Sequence, residues 1–581
     1  MLQFSHASAF ASSDEDAARC SCAVCRGAVT VVEADPRISS GLAEGPQAYL
    51  NADARDSIGP NGKPSYSISE AASQIVRHEP GWSSALGVGY TVTYAFRANE
   101  PTTMPSDVTG FSRFNAAQIA QAELALKAWA DVANIKFTRV GSGTSGEAAY
   151  SDSASILFAN YSKGEDGASA FAYNPGNPGH GSPSGDVWIN SSLGYNLNPG
   201  GLNYGAQVLL HETGHAIGLA HPSEYNAGKD ATITYSGQAD YYEDSRQYTV
   251  MSYFSETNTG ASFGGAYAAS PLLDDIAAAQ LEYGANLSSR TGDTIYGFNS
   301  TAERPWFAIS GSTSKAIFAV WDAGGKDTLD FSGYYQNQTI DLREGFFSDV
   351  GGLKGNVAIA VGARIEGARG GSGADVIHGN ALSNEIFGGA GNDRIDGGPN
   401  GSNLLWGDDG ADTITGGSGF DNINGNKGAD LAHGGLGDDW VSGGQDNDYI
   451  YGDEGADVVL GNMGNDTCEG GVGADTVRGG QHDDILYGQD GDDWLSGDRG
   501  SDTITGGAGA DIFHSFSGAG IDRVTDFSLA QGDRILLDAG TPWSVAQVGS
   551  DTVISLGEPG DQIILVGVQS STLSGGWIFS A

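Results

Sequence analysis

Residues 211–221 read HETGHAIGLAH, and Val250-Met251-Ser252-Tyr253 follows soon after. His211 and His215 are four apart, so they leave one face of a helix and can grip one metal ion. Glu212 stands beside the first of them, placed to take a proton from a metal-bound water. Gly218 lets the helix stop and the chain turn sharply, because glycine tolerates positive φ. His221 can then return as a third nitrogen ligand, leaving one coordination position open for water, as a catalytic zinc requires. Neutral imidazole also suits zinc better than calcium or magnesium, which prefer oxygen. A bare HExxH arises by accident far more readily than this longer pattern of fixed positions, so the expected chemistry is that of a zinc peptidase.

A second constellation is a nine-residue repeat. Sixteen units run from Gly370 to His514, with one extra residue at Gly397. The sixth place is Asp375, Asp393, Asp412, Asp421, Asp430, Asp439, Asp448, Asp457, Asp466, Asp475, Asp484, Asp493, Asp502 and Asp511, with Asn384 and Asn403 at the two remaining units. The eighth place is apolar from Ile377 to Phe513, weakest at Ala432 and Cys468. Each unit predicts a glycine-rich turn followed by a very short strand whose eighth residue enters a narrow core. Turn carbonyls and aspartate carboxylates are hard oxygen ligands, the kind calcium takes. Two units make one turn of a parallel β-roll, so that loops stack and calcium can lie between neighbours. This is the spacing of the calcium-binding RTX repeat. A disordered glycine tract would not hold a strict apolar eighth place.

The elements that must position these groups are legible in outline. Ser69 and Glu70 open a helical pattern, residues 88–96 alternate like a strand, and Asn115 can cap a helix with Ile119, Ala122, Leu126 and Trp129 on one face. Residues 155–160 and 186–192 are further strand candidates, and residues 272–284 a helix after the Met251 segment. Beyond His514, RILLDA and QIILVG read as strands that close the roll. The expected division is a leader over residues 1–60, a catalytic domain over 61–285 and an all-β domain over 286–581.

Net charge is −44, concentrated in the repeat. Without counterions such a segment repels itself, and bound calcium would relieve it. The same charge argues against nucleic acid or an anionic membrane as partner. No apolar run is long enough to span a membrane. The first residues lack a basic start and a long apolar stretch, so no ordinary secretion signal is expected, although calcium sites of this kind suit the outside of the cell. Cys468 occupies a core place in the repeat. Cys20, Cys22 and Cys25 cluster in the leader, where a thiolate could cap zinc at the open position.

From about Ser67 onward the chain resembles the serralysin-type secreted bacterial metalloproteases, a metzincin branch fused to an RTX roll. The resemblance rests on the zinc motif and on HPSEYNAG (221–228), ADYYEDSRQYTVMSYF (239–254), PLLDDIAAAQLEYGAN (271–286), RTGDTIYGFNSTAERP (290–305) and WDAGGKDTLDFSGY (321–334). It implies an α+β metzincin zinc-protease domain followed by an all-β parallel β-roll. It also implies a broad-specificity extracellular endopeptidase, made as a zymogen and exported without a leader by a type I ABC transporter. Carried over, His211, His215 and His221 are zinc ligands, Glu212 the general base and Tyr253 a switchable further ligand that moves to hydrogen-bond the oxyanion. Met251 is the Met-turn floor beneath the metal. Family calcium positions fall on Arg290, Gly292 and Thr294 with Asp322, Gly324 and Asp327. In the roll they fall on Gly371, Gly373 and Asp375 with Gly388, Ala390 and Asp393, and on the later aspartates. Extended peptide substrate would add to an edge strand near residues 168–173. A monomer is expected, with a proteinaceous inhibitor as a further possible partner.

Overall fold

The structure, a computed structural model, describes residues 49–77, 81–105, 108–164, 168–176, 184–225 and 233–581, together with the backbone of Arg19–Cys20. Two bodies follow one another. The first is a mixed sheet backed by helices, and the second a long parallel solenoid.

In the first body, β1 (Arg19–Cys20), β2 (Tyr90–Phe96), β3 (Ile135–Arg139), β4 (Ile156–Tyr161), β5 (Ala170–Tyr173) and β6 (Val187–Asn190) form a sheet in the order β1-β5-β6-β4-β2-β3. Strands β2, β3, β4 and β6 are parallel. Strand β5 runs antiparallel to β6, and β1 lies antiparallel on its far side, Arg19 opposite Tyr173 and Cys20 opposite Ala172. Cys22 and Cys25 lie outside the described residues.

The helices form where the pattern places them. Helix α1 (Ile68–Ile75) starts at Ser67, one of two reciprocal caps. Its hydroxyl accepts the Glu70 N–H while the Glu70 carboxylate takes the Ser67 N–H. Asn115 does the same with Gln118 for α2 (Ala116–Val132). Ile119, Ala122, Leu126 and Trp129 of α2 are buried. Short helices α3 (Gly194–Leu197) and α5 (Tyr235–Gln238) flank the central α4 (Tyr204–Ala216), and α6 (Leu273–Tyr283) ends the domain. The Trp129 indole N–H donates to Leu210 O at 3.1 Å, tying α2 to α4. None of the described helices is long and apolar enough to cross a membrane.

In the second body two 13-stranded sheets face each other. Through the repeat from Thr413 to Ala508 successive strands alternate between them, and neighbours within a sheet are parallel and 18 residues apart, as Thr413 with Leu431 and Leu431 with Tyr449. Every eighth-place side chain from Ile377 to Phe513 is buried between the sheets, Ala432 and Cys468 included. Those two keep their places because the core is narrow and strands on either side supply larger neighbours. Antiparallel strands Trp543–Val548, Asp551–Leu556 and Gln562–Leu565 finish one sheet.

Residues 49–60, expected as the end of a leader, are built into both bodies. Arg55 makes a bidentate buried ion pair with Asp274 at 2.8 and 2.9 Å. The Tyr49 hydroxyl donates to Asp349 at 2.8 Å, and Ala52 N–H to Gly345 O at 3.1 Å.

Candidate functional site

Helix α4 begins at Asn203, whose side chain accepts the Ala206 N–H at 3.0 Å, and carries His211, Glu212 and His215 on buried turns. It stops at Gly218, which has φ +106° and a backbone so close to Gly81 that a Cβ would lie 2.9 Å from the Gly81 α-carbon. The chain then brings His221 back toward the helix.

The three histidines converge. His211 Nε2 lies 3.0 Å and His221 Nε2 3.2 Å from His215 Nε2. His211 Nδ1 is 2.8 Å from Val250 O, and His215 Nδ1 is 2.6 Å from Leu219 O. A carbonyl only accepts, so each Nδ1 carries the proton and each Nε2 presents a lone pair. Lone pairs facing one another repel unless a cation joins them. Tetrahedral zinc about 2.0–2.1 Å from each nitrogen would hold them about 3.3 Å apart, so the donor set fits this metal. Among the described residues these histidines are the one group that brings its ligand atoms this close.

Met251 packs against helix α4 between the first two histidines. Its sulfur sits where a Cβ on Gly214 would be, 2.6 Å away, with Trp129 at 3.1 Å, so the glycine between the first two histidines is demanded by packing. The Tyr253 ring packs on His221 (centroids 4.3 Å apart) and on Tyr225 (4.6 Å).

Three groups that the sequence pattern did not single out hold this arrangement. Asp275, at the start of α6, accepts from Thr249 Oγ1 at 2.6 Å, Val250 N–H at 2.8 Å and Leu272 N–H at 2.9 Å. It thereby fixes the turn whose carbonyl orients His211, and burial pushes its carboxyl up to about 7. Asp244, pushed up to about 6 by burial, accepts from Ser223, Tyr225 and Ser252, joining the His221 loop to the Tyr253 segment. Arg77 donates to the His221 carbonyl. Asp274 and Asp275 fall in the helix expected over 272–284, but nothing local distinguishes them from a solvated pair.

In the roll the sixth-place aspartates form two ladders. Asp412 N–H donates to Asp430 Oδ1 at 2.8 Å, Asp430 N–H to Asp448 Oδ1 at 2.9 Å, and so on at every 18th residue. The other carboxylate oxygen, Oδ2, is buried without a hydrogen-bond partner among the described residues at Asp393, Asp412, Asp421, Asp430, Asp439, Asp448, Asp457, Asp466, Asp475, Asp484, Asp493, Asp502 and Asp511. Burial, reinforced by neighbouring aspartates, pushes Asp430 and Asp439 up to about 7 and Asp448 and Asp484 up to about 8. A column of buried oxygens with no donor fits a hard cation between turns. Asp375 is an exception, because its Oδ2 already accepts the Gly371 N–H at 2.7 Å. Its loop and that of Asp393 stack nonetheless, Ala390 N–H on Gly371 O at 2.9 Å, with Gly388 and Gly391 packed over the same turn, the latter against Gly373 O.

The earlier set also comes together. Thr294 N–H donates to Asp327 Oδ1 at 2.7 Å, Thr294 Oγ1 to Gly292 O at 2.8 Å, and Gly324 N–H to Asp322 Oδ1 at 2.9 Å. Asp327 Oδ2 is buried and unpartnered among the described residues. Arg290 spreads its guanidinium over Asp131, the Trp321 carbonyl and the Tyr296 hydroxyl, and that hydroxyl itself donates to Asp322 Oδ2 at 2.6 Å.

Comparison with known proteins separates the same two bodies. Residues 89–245 match the family described as Matrixin, and residues 285–539 the family described as Peptidase M10 serralysin C terminal. The chain is 51% identical to Serralysin A of Dickeya chrysanthemi over 319 residues, covering 55% of this chain and 65% of that one. It is 48% identical to Metalloprotease AprA of Pseudomonas entomophila, over 56% of this chain and 66% of that one. With Metallopeptidase AprA of Pseudomonas marginalis the identity is 49%, over 56% of this chain and 67% of the relative. The match thus spans about two thirds of these relatives' length. Among solved structures, a subunit of the Azotobacter vinelandii mannuronan C5-epimerase aligns with 23% of this chain and 78% of its own at 25% identity, with a TM-score of 0.17.

Proposed function

We propose, from the premise that this chain belongs to the serralysin family of metalloproteases, that it is a secreted zinc-dependent endopeptidase stabilised by calcium in its roll. The observation that carries the reading is the convergence of three imidazole nitrogens, two of which, those of His211 and His215, have their opposite ring nitrogens committed to backbone carbonyls.

His211, His215 and His221 would hold zinc, with Tyr253 as a further ligand; the ion supplies Lewis acidity that acidifies water and polarises a peptide carbonyl. Glu212 takes the proton of the attacking water and passes it to the leaving amine. Tyr253 turns its phenol toward the oxygen that gains charge as the carbonyl carbon becomes tetrahedral. Asp275 and the Val250 carbonyl keep His211 in one tautomer throughout.

Extended peptide substrate adds to the β5 edge. The antiparallel pairing of Arg19–Cys20 with that strand supports the assignment, since it uses the backbone groups a substrate would use. The same pairing suits a zymogen whose leader covers the edge, with a thiolate of Cys20, Cys22 or Cys25 toward the metal. Division into leader 1–60, protease 61–285 and roll 286–581 belongs to the proposal, with cleavage inside the leader, ahead of Tyr49, so that the remainder carrying Arg55 stays on Asp274. Type I export, action as a monomer and susceptibility to a proteinaceous inhibitor complete the reading.

Casein degradation by the purified protein, with and without a zinc chelator, tests it. Activity should vanish in chelator and return with zinc. Undiminished activity in chelator would exclude a zinc peptidase.

A further inference from the structure

Asn384 and Asn403 stand where the other repeats have aspartate, and they keep half of the ladder. Asn384 N–H donates to Asn403 Oδ1 at 2.8 Å, and Asn403 N–H to Asp421 Oδ1 at 2.8 Å, as the aspartates do. The remaining side-chain atom is what differs. In the aspartate turns from Asp393 onward it is a buried oxygen with no donor among the described residues. In Asn384 it is a nitrogen surrounded by oxygens: Leu382 O at 2.8 Å, Gly397 O at 2.9 Å, and Asn380 O and Asn403 Oδ1 at 3.2 Å each. Backbone carbonyls only accept, so the end that faces them is the NH2. Asn403 Nδ2 donates likewise to Gly416 O at 3.2 Å.

The positions are equivalent in space. A Cβ on Gly397 would collide with Gly416 O and lie 2.8 Å from Asn403 Nδ2. A Cβ on Gly416, one turn later, would collide with Gly434 O and with Asp421 Oδ2. Amide nitrogen and carboxylate oxygen therefore occupy the same place, each facing the carbonyl of the next turn. The sign of the contact is reversed. Carboxylate against carbonyl is oxygen against oxygen, and it needs a cation between. Amide against carbonyl is already a hydrogen bond.

We propose that the stacked pair Asn384–Asn403 is a cation-free turn of the roll, in which two side-chain amides replace calcium. The proposal rests on the reading that the aspartate turns bind calcium. It places a calcium-independent interface near the protease end of one ladder, the second and fourth of the sixteen units, while the turns beyond it in that ladder depend on the ion. An amide carries only partial charge, so it holds the turn without the proton and salt dependence of an ionic site.

The test is calcium stoichiometry of the full chain, by elemental analysis after titration from a chelated state, for the native protein and for Asn384→Asp/Asn403→Asp. The variant should bind about one more calcium than the native protein. Its thermal midpoint should fall in chelator, where two buried carboxylates now face carbonyls, and recover in calcium. Because the variant could fail to fold, the converse pair Asp439→Asn/Asp457→Asn is measured as well, with an expected loss of about one calcium. Unchanged stoichiometry in both variants, with calcium bound by the native protein, overturns the amide assignment. A native protein that binds no calcium in the roll overturns the underlying reading instead.

Discussion

Replacing Glu212 with Ala removes the proposed proton acceptor and leaves all three imidazoles in place. Proteolysis is therefore expected to be lost while bound zinc stays at about one equivalent, read by elemental analysis. Retained proteolysis would assign the proton transfer elsewhere. Tyr253→Phe keeps the ring that packs on His221 and Tyr225 but loses the phenol, so kcat should fall roughly 10²–10³-fold with zinc affinity little changed. An unaltered kcat would reduce Tyr253 to a packing role. Asp275 touches neither substrate nor metal. Asp275→Ala releases Thr249, Val250 and Leu272 together, so the carbonyl that orients His211 is no longer fixed. Zinc affinity, measured by chelator competition, should drop about 10–100-fold, as for other partners that orient a metal-binding histidine. Equal affinity in the variant would count against that positioning role.

At the scale of elements, what could be read from sequence is what is local. The histidine spacing fixes a helix face and a turn within eleven residues, and the structure brings His211, His215 and His221 together as expected. The caps at Ser67 and Asn115 need only three residues each, and α2 buries the four side chains its periodicity marks. The roll is legible for the same reason, since its period repeats sixteen times and its eighth place is buried throughout. What was not legible depends on partners far along the chain. Arg55 looks like one charge in a polar leader until Asp274, 219 residues on, closes over it. Asp275 and Asp244 look like surface carboxylates, and only the meeting of separate loops makes them buried acceptors. Gly214 falls at an unspecified place between the two helix histidines, and the reason for a glycine there is the Met251 sulfur. The asparagines at 384 and 403 were visible as departures from the repeat, while their donor geometry required the turn on the other side.

On the scale of the whole molecule, a net charge of −44 and a core of stacked carboxylates lead us to expect that folding of the roll depends on its counterions. In chelator, backbone amides over residues 407–511 should exchange rapidly, and added calcium should protect them, as followed by hydrogen-exchange mass spectrometry. Protection in chelator equal to that in calcium would refute the coupling. The 18-residue pairing has a separate consequence, for length. Because each turn hydrogen-bonds to the turn 18 residues away, the solenoid can grow or shrink only in whole quanta. Excising residues 434–451 removes one quantum and should leave a shorter roll with every later strand in its own sheet. Excising residues 434–442 alone would send each later strand to the opposite sheet and misplace the closing strands, so that product should fail to fold in calcium. Gly397 marks the finest adjustment this geometry shows: it lengthens one step in each sheet to 19 residues, Glu385 opposite Leu404 and Arg394 opposite Thr413, by adding its residue in a turn. Such a chain is measured in periods, and its history of duplication and loss can be written only in that unit.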